Sequence, residues 1–179
     1  GNARFDYKLR IGDVDYYDLK TNKWLNYQSL DEKEIPLFKM EQKLKGISEL
    51  FLEKGVQSNY YYYPLFEANL FGYWNAPYFD YPNLLLLGYE KENKNYLAVV
   101  FDPRENAYQL IRCSEFDNVF FYFNSEFVNT FDRKRFFTEL ITSDGLVAES
   151  AEEKVIIEIA LDLIAARVEK QLKAEAEKA

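Results

Sequence analysis

The chain contains no histidine, and this absence excludes more chemistry than any other feature of its composition. Histidine is the commonest general base and transition-metal ligand, and it activates the serine or cysteine of many nucleophilic enzymes. Cysteine occurs once, as Cys113, so neither an intrachain disulfide nor a cysteine-based zinc site can form. We therefore expect a protein that is not an enzyme and that uses no cofactor and no metal.

Long hydrophobic runs are also missing, so the sequence predicts no transmembrane segment. Basic residues are few relative to acidic ones: 22 lysines and arginines stand against 30 aspartates and glutamates, for a net charge of −8. A protein that follows a nucleic-acid backbone neutralises phosphates with clustered lysines and arginines, so the composition argues against nucleic acid as a partner. An acidic chain is suited to a basic partner, or is simply soluble.

A length of 179 residues is typical of one domain, and we expect a single α+β domain over positions 1–179. The chain begins "GNARF" without a methionine, so we expect that a segment was cut away upstream. That segment could be a signal peptide or another domain, and a signal peptide would keep export open as an alternative to the cytoplasm.

Regular patterns predict the secondary structure. Alternating apolar residues over 5–11, with further strands near 16–19 and Trp24, predict a β-hairpin region over 1–28. A helix is predicted over 36–54, with an apolar stripe and a glycine, Gly55, at its end, and Gly46 is a candidate kink or break. The stripe consists of Leu37, Met40, Leu44, Ile47 and Phe51.

The second half of the chain predicts a sheet and two helices. Four short apolar runs between Asn83 and Asn124, separated by short polar links, favour a mainly antiparallel sheet of four or more strands. Phenylalanines near helical spacing predict a helix over 126–141. A long C-terminal helix is predicted over 150–179, with Ser150 and Glu153 as a capping box. Its apolar stripe is formed by Ile157, Leu161, Ile164, Val168 and Leu172.

One stretch, "SNYYYYPLFEANLFGYWNAPYFDYP" at positions 58–82, is dense in aromatic residues and contains no lysine or arginine. Its prolines and Gly72 predict loops and short extended pieces. Its rings could pack under these loops to close the core, could form a protein interface, or could stack on a sugar. The leading hypothesis is a non-catalytic protein-binding module. Its predicted partner-binding residues are Tyr61, Tyr62, Tyr73, Trp74, Tyr78, Asp80, Glu90 and Glu92.

Other hypotheses come from different functional classes. One is an exported protein that binds a small ligand or glycan through aromatic side chains. Another is a metal-dependent hydrolase, for which Asp80, Glu92 and Lys94 match the residue types of a nuclease site. Asp13, Asp15 and Asp18 have the look of a calcium loop, but they lack its glycine and its distal glutamate, so we expect solvated hairpin carboxylates.

Cys113 ends a predicted strand next to Arg112. Because neighbours in a strand point to opposite faces, Arg112 is poorly placed to activate the thiol, and we expect a packed cysteine.

The order of the predicted parts resembles the SUKH superfamily over about positions 37–141. The shared parts are the helix "LFKMEQKLKGISELFLEKG", an aromatic and proline-rich link, "YPNLLLLGYEKENKNYLAVVFDPRENAYQLI" and "FNSEFVNTFDRKRFFTEL". The strongest local likeness is Asn124-Ser125 followed by spaced phenylalanines. Many members look like immunity proteins of bacterial toxin systems. The resemblance implies a non-catalytic α+β binding scaffold, an acidic surface that inhibits a basic toxin domain, and a cytoplasmic location.

Overall fold

The computed structural model describes residues 12–18, 21–31, 33, 35–66, 76–87, 95–116 and 125–176. The fold is α+β, as the sequence predicts, and its larger sheet is antiparallel throughout. The chain divides into two compact units, residues 1–39 and residues 40–179, which are described separately. The single-domain organisation stays a prediction.

The first unit contains a β-hairpin. Strands β1 (Asp15–Asp18) and β2 (Lys23–Asn26) pair antiparallel, and a short 3-10 helix (Tyr27–Ser29) follows. The turn places Asn22 at φ +53°, a conformation that asparagine tolerates better than most residues. The predicted strands near 16–19 and Trp24 are confirmed, while the strand predicted over 5–11 lies outside the described residues.

The second unit is built on a five-stranded sheet in the order β3-β4-β5-β6-β7. Helix α1 (Pro36–Glu53) begins at the end of the first unit, runs unbroken through Gly46 and ends two residues before Gly55, whose φ is +77°. The strands are β3 (Ser58–Tyr62), β4 (Asn83–Leu87), β5 (Asn95–Asp102), β6 (Ala107–Glu115) and β7 (Ile141–Ser150). The other helices are α2 (Ser125–Asn129) and α3 (Glu153–Ala176).

Both faces of this sheet are covered, which explains why every residue of β4 is buried. Leu85 and Leu87 pack with α1 and α3, in a cluster that includes Met40, Leu44, Ile47, Phe51, Ile156, Ile157 and Ala160. Leu84 and Leu86 point to the other face, since successive side chains in a strand alternate. That face is covered by the short helix α2, through Val128, and by irregular segments with Tyr63, Leu65, Tyr78, Phe79, Phe137 and Leu140. One face therefore packs on helices and the other on rings.

The predicted helix over 126–141 is wrong beyond Asn129. Only Ser125–Asn129 is helical, and the chain then forms turns, with Phe136 in a parallel bridge to Tyr62. The phenylalanines are spaced like a helical stripe but pack as rings of the irregular layer: Phe131 contacts Phe136 at a centroid distance of 5.1 Å. The sequence patterns predict no strand over residues 141–150, which form edge strand β7.

The C-terminal helix is confirmed, but its predicted capping box does not form. Ser150 ends β7, and its hydroxyl accepts a hydrogen bond from the backbone N–H of Glu152 instead of capping at helix position three. The Glu153 carboxylate accepts a hydrogen bond from the Tyr108 hydroxyl at 3.1 Å. The predicted stripe is buried at Ile157 and exposed at Val168 and Leu172, so the contact with the sheet is confined to the first half of α3.

Candidate functional site

The described part of the aromatic stretch is core or half-buried. Tyr63 and Phe79 are each 1% exposed and meet edge to face at 5.5 Å. The Tyr63 hydroxyl accepts a hydrogen bond from the backbone N–H of Ile141 at 3.1 Å. Of the described rings in this stretch, none is among the exposed large hydrophobic residues. These rings therefore close the core, as one of the open alternatives for the stretch expects.

The predicted partner-binding residues are divided by this packing. Tyr61 and Tyr62 are half-buried on β3, and Asp80 is exposed. The prediction that the ring of Tyr78 is exposed for a partner is wrong. The residue is 5% exposed, because its ring packs against that of Phe116 at a centroid distance of 5.6 Å. The remaining residues, Tyr73, Trp74, Glu90 and Glu92, lie outside the described residues, as does Lys94 of the hydrolase hypothesis.

A chain of contacts joins β4, β3 and α1. The Asn83 amide donates to the Tyr60 hydroxyl at 3.1 Å, the Tyr60 and Tyr62 rings meet edge to face at a centroid distance of 5.4 Å, and the Tyr62 hydroxyl donates to Glu41 at 2.7 Å. Lys45 donates to the same carboxylate at 2.5 Å. The chain of polar groups thus ends on one ion pair at the helix surface.

These contacts shift the acidities of the groups in the chain. Burial alone would raise the pKa of Glu41, but hydrogen bonds from Lys45 and Tyr62 outweigh burial and lower it. Burial raises the pKa of Tyr60, and burial together with the negative Glu41 raises the pKa of Tyr62. Both phenols stay protonated at neutral pH, so neither acts as a base: the Tyr62 hydroxyl donates to Glu41, and the Tyr60 hydroxyl accepts from Asn83.

A second polar arrangement lies where the strands meet at one end of the sheet. The register pairs Tyr62 with Asn83, Asp102 with Ala107, and Tyr108 with Ser150, which brings these strand ends together. We call this region the acidic end and define it by Asp80, Tyr81, Asp102, Glu105 and Glu149.

Tyr81 is the hub of the acidic end. Its hydroxyl donates to the Gln109 side-chain oxygen at 2.7 Å, and the Gln109 amide donates to Glu149 at 2.6 Å. Burial, with the negative charges of Asp102 and Asp80, raises the pKa of Tyr81 to about 12. The phenol therefore remains a neutral donor that fixes Gln109 and, through it, Glu149.

Asp102 is the buried carboxylate of the acidic end. Arg104 donates three hydrogen bonds to it, from its backbone N–H at 2.8 Å and from two guanidinium nitrogens at 3.0 and 2.6 Å. The hydrogen bonds from Arg104 hold the pKa of Asp102 below its usual value. Since Arg104 and Asp102 neutralise each other, the exposed charges of the acidic end are Asp80, Glu105 and Glu149.

Cys113 is packed, as predicted. Its side chain is 1% exposed, and burial with the nearby negative Asp144 raises the pKa of the thiol. Arg112 is exposed on the opposite face of β6. The thiol therefore lacks the contact that would make it a reactive nucleophile.

The described ranges hold no obvious metal site: no three carboxylate, cysteine or histidine side chains within them are grouped to hold an ion. Of the three aspartates with the look of a calcium loop, Asp13 and Asp15 are exposed, as expected for solvated hairpin carboxylates, while Asp18 accepts hydrogen bonds from the backbone N–H and hydroxyl of Thr21. This is a turn motif, in which a carboxylate holds the backbone that leads from β1 to β2.

One feature escaped the sequence patterns. A cleft of about 460 Å³ opens between the sheet and α3, at the end opposite the acidic end, and Arg112 and Arg167 both line it. The two arginines are 55 positions apart in the sequence, so no local motif joins them. Only the packing of α3 on the sheet brings them to one place.

No family model, no curated protein and no solved structure matches this chain. Among the described residues, no helix is both long enough and apolar enough to cross a lipid bilayer.

Proposed function

We propose that this protein is a non-catalytic protein-binding module and that its acidic end holds a basic partner. The resemblance to immunity proteins suggests a basic toxin domain as that partner, with the module acting as its inhibitor. The observation that carries the proposal is the set of exposed carboxylates, Asp80, Glu105 and Glu149, at one end of the sheet.

The order of the acidic end supports a binding role. Glu149 is tied through Gln109 to Tyr81, and Asp102 is tied to Arg104, so these side chains are held before any partner arrives. A surface that is already ordered loses less side-chain entropy on binding. Half-buried Tyr81 adds ring surface among the charges, and tyrosine is a residue type that often dominates interface energetics.

Electrostatics supports a basic partner in particular. The net charge of −8 attracts a cationic protein from a distance, and the exposed carboxylates are available to orient it. The one positive charge of Arg104 balances that of Asp102, its ion-pair partner, so the acidic end keeps a negative balance. Complementary charge of this kind mainly raises the association rate and the specificity.

Burial of the rings makes the glycan-binding alternative weaker. A sugar stacks on an open ring face, and the described rings between positions 58 and 82 are buried or half-buried. The exposed groups of the acidic end are charged carboxylates, and a sugar ring cannot stack on them. The protein-binding hypothesis is therefore the better supported one.

The test begins with a partner captured from the native cell, identified by mass spectrometry and then purified. Its affinity is measured by titration calorimetry for the wild type and for the double variant Asp80→Lys/Glu105→Lys. A matched control, Glu158→Lys/Asp162→Lys, makes the same change in net charge on the exposed surface of α3. We expect the first pair to weaken binding by about a hundredfold and the control by less than about threefold, with the affinity falling as salt is added.

Equal effects of the two double variants would show that net charge alone is sensed, and the acidic end would be rejected as the contact surface. A second readout addresses inhibition: if the partner stops cell growth, co-expressed wild-type protein restores growth and the Asp80→Lys/Glu105→Lys variant fails to do so. Growth that the wild type does not restore would overturn the inhibitor role.

A further inference from the structure

We propose that the cleft at the other end of the sheet is a binding site for a small organic anion, a molecule with a carboxylate or phosphate group on an apolar body. We call it the arginine cleft and define it by the residues Asn95, Leu97, Arg112, Asp144, Leu163 and Arg167. It is distinct from the acidic end, and the proposal does not depend on the function proposed above.

The size of the cleft fits a small molecule. Its volume of about 460 Å³ is within the usual range of ligand pockets, which is about 300–1,000 Å³. The floor is formed by strand residues, with Leu97 directly opposite Arg112 in the register of β5 and β6. Leu163 and Arg167 of α3 form a wall, one helical turn apart. Apolar and cationic groups thus converge from the sheet and from the helix.

The charge of the cleft runs against that of the whole chain. The chain carries a net −8, yet two guanidinium groups and one carboxylate line this cleft. The carboxylate, on Asp144, accepts hydrogen bonds from the hydroxyls of Ser114 at 2.9 Å and Thr142 at 3.2 Å. Among the described residues no ion pair involves Arg112. Guanidinium groups recognise carboxylates and phosphates through paired N–H donors, so an oxyanion is the matching ligand group.

The pairing of β6 with β7 is irregular around Arg112, where the two strands line the arginine cleft. The pairing of β6 with β7 shifts between Leu110 and Ile111 and again between Arg112 and Cys113, which leaves Asp144 without a partner residue in β6. Gly145, opposite Arg112, has φ +151°, a conformation that other residues rarely adopt. Such bulges bend a strand and redirect side chains, and they are frequent beside binding sites. Here the irregularity sets Arg112 and Asp144 at the cleft.

The proposal is tested by NMR titration of the isotope-labelled protein with benzoate and with phenyl phosphate. Benzylamine and benzyl alcohol have the same ring with a positive or no charge and serve as probes of sign. We expect both anions to shift backbone signals of β5, β6 and α3 at millimolar concentrations, and the other two probes to shift them far less. Phenyl phosphate binding more tightly than benzoate would identify phosphate as the preferred group, and the reverse order a carboxylate.

Variants locate the binding. Arg112 is exposed, so the variant Arg112→Gln should fold normally. We expect this variant to bind the anions about tenfold or more weakly. Arg167→Gln should do the same, with its fold checked by circular dichroism. Arg133→Gln removes an equal charge from an exposed turn residue that does not line the cleft, and should leave the affinity unchanged. Asp144→Asn should strengthen binding severalfold, because it removes the one negative charge among the named cleft residues.

Three results would overturn the proposal. One is the absence of shifts with either anion at millimolar concentration. Another is an equal loss of affinity in Arg112→Gln and Arg133→Gln, which would show attraction by net charge alone. The third is binding of benzylamine as tight as that of benzoate, since the cleft would then select for the ring and not for the anion.

Discussion

The hydroxyl of Tyr62 donates a hydrogen bond to Glu41 across 2.7 Å, and this contact fastens edge strand β3 to helix α1. The two residues are 21 positions apart, and the bond joins the last residue of β3 to the first half of α1. An aromatic side chain of the stretch at 58–82 thus makes a polar contact that stabilises the fold.

Removing that hydroxyl should destabilise the protein. We expect Tyr62→Phe to lower the free energy of unfolding by about 1 kcal/mol, because Glu41 then loses a hydrogen bond that a charged acceptor makes strong. Tyr61→Phe is the matched control, since Tyr61 is half-buried on the same strand and packs by its ring on Phe137. Urea unfolding of both variants measures the difference, and equal losses would show that the Glu41 bond contributes nothing.

The same contact makes stability depend on pH. The folded state lowers the pKa of Glu41 below its ordinary 4.5, so the stabilisation is complete above that pH and is lost as the pH falls through the lowered folded value. Glu41→Gln should therefore give a flatter stability curve between about pH 5 and pH 3. Asp102 keeps a contribution of the same sign in both proteins, so the difference between their curves isolates Glu41. Parallel curves would contradict the expectation.

Arg104 should stabilise the fold through the buried carboxylate that it holds. In Arg104→Gln, the carboxylate of Asp102, a residue that is 2% exposed in the wild type, loses its guanidinium partner. We expect a loss of about 1 kcal/mol, a modest value because the Arg104 side chain itself is well exposed. Arg133→Gln, in an exposed turn, is the control and should change the unfolding free energy by less than about 0.5 kcal/mol. Equal unfolding free energies for the two variants would show that the ion pair between Arg104 and Asp102 does not stabilise the fold.

Neighbouring positions in the aromatic stretch should respond in opposite ways. Phe79 is 1% exposed and Asp80 is exposed, although they are adjacent in the chain. We expect Phe79→Ala to cost about 3–5 kcal/mol, since it leaves a cavity beside Tyr63, and Asp80→Ala to cost less than about 0.5 kcal/mol. Thermal and denaturant melts of both variants give the comparison. A small cost at Phe79 would mean that these rings are not core.

The thiol of Cys113 should be inert in the folded protein. Burial raises its pKa and keeps reagents away, so labelling by a disulfide reagent at pH 8 should be slower than in the denatured chain by orders of magnitude. Spectrophotometry of the released thiolate follows the reaction in both states. Rapid labelling of the folded protein would show an open path to β6 that the packing does not contain.

The sequence alone determined the parts of the fold that depend on local pattern. The helical stripe of α1, the hairpin near Trp24 and the apolar runs of β4 to β6 each appear where their periodicity places them. The packed state of Cys113 also followed from strand alternation, which sends its side chain and that of Arg112 to opposite faces. These features are local because spacing along the chain decides which side chains share a face.

Only the tertiary structure decided what the aromatic residues do and where charges meet. The phenylalanines after Asn129 imitate a helix in spacing, yet packing with Tyr62 and its neighbours draws them into an irregular layer. Tyr78 and Asp80 could not be told apart by composition, although one is core and the other surface. The arginine cleft joins residues from β6 and α3 that no short motif links. Such contacts are non-local, and the free energy that selects them comes from packing that a local pattern does not encode.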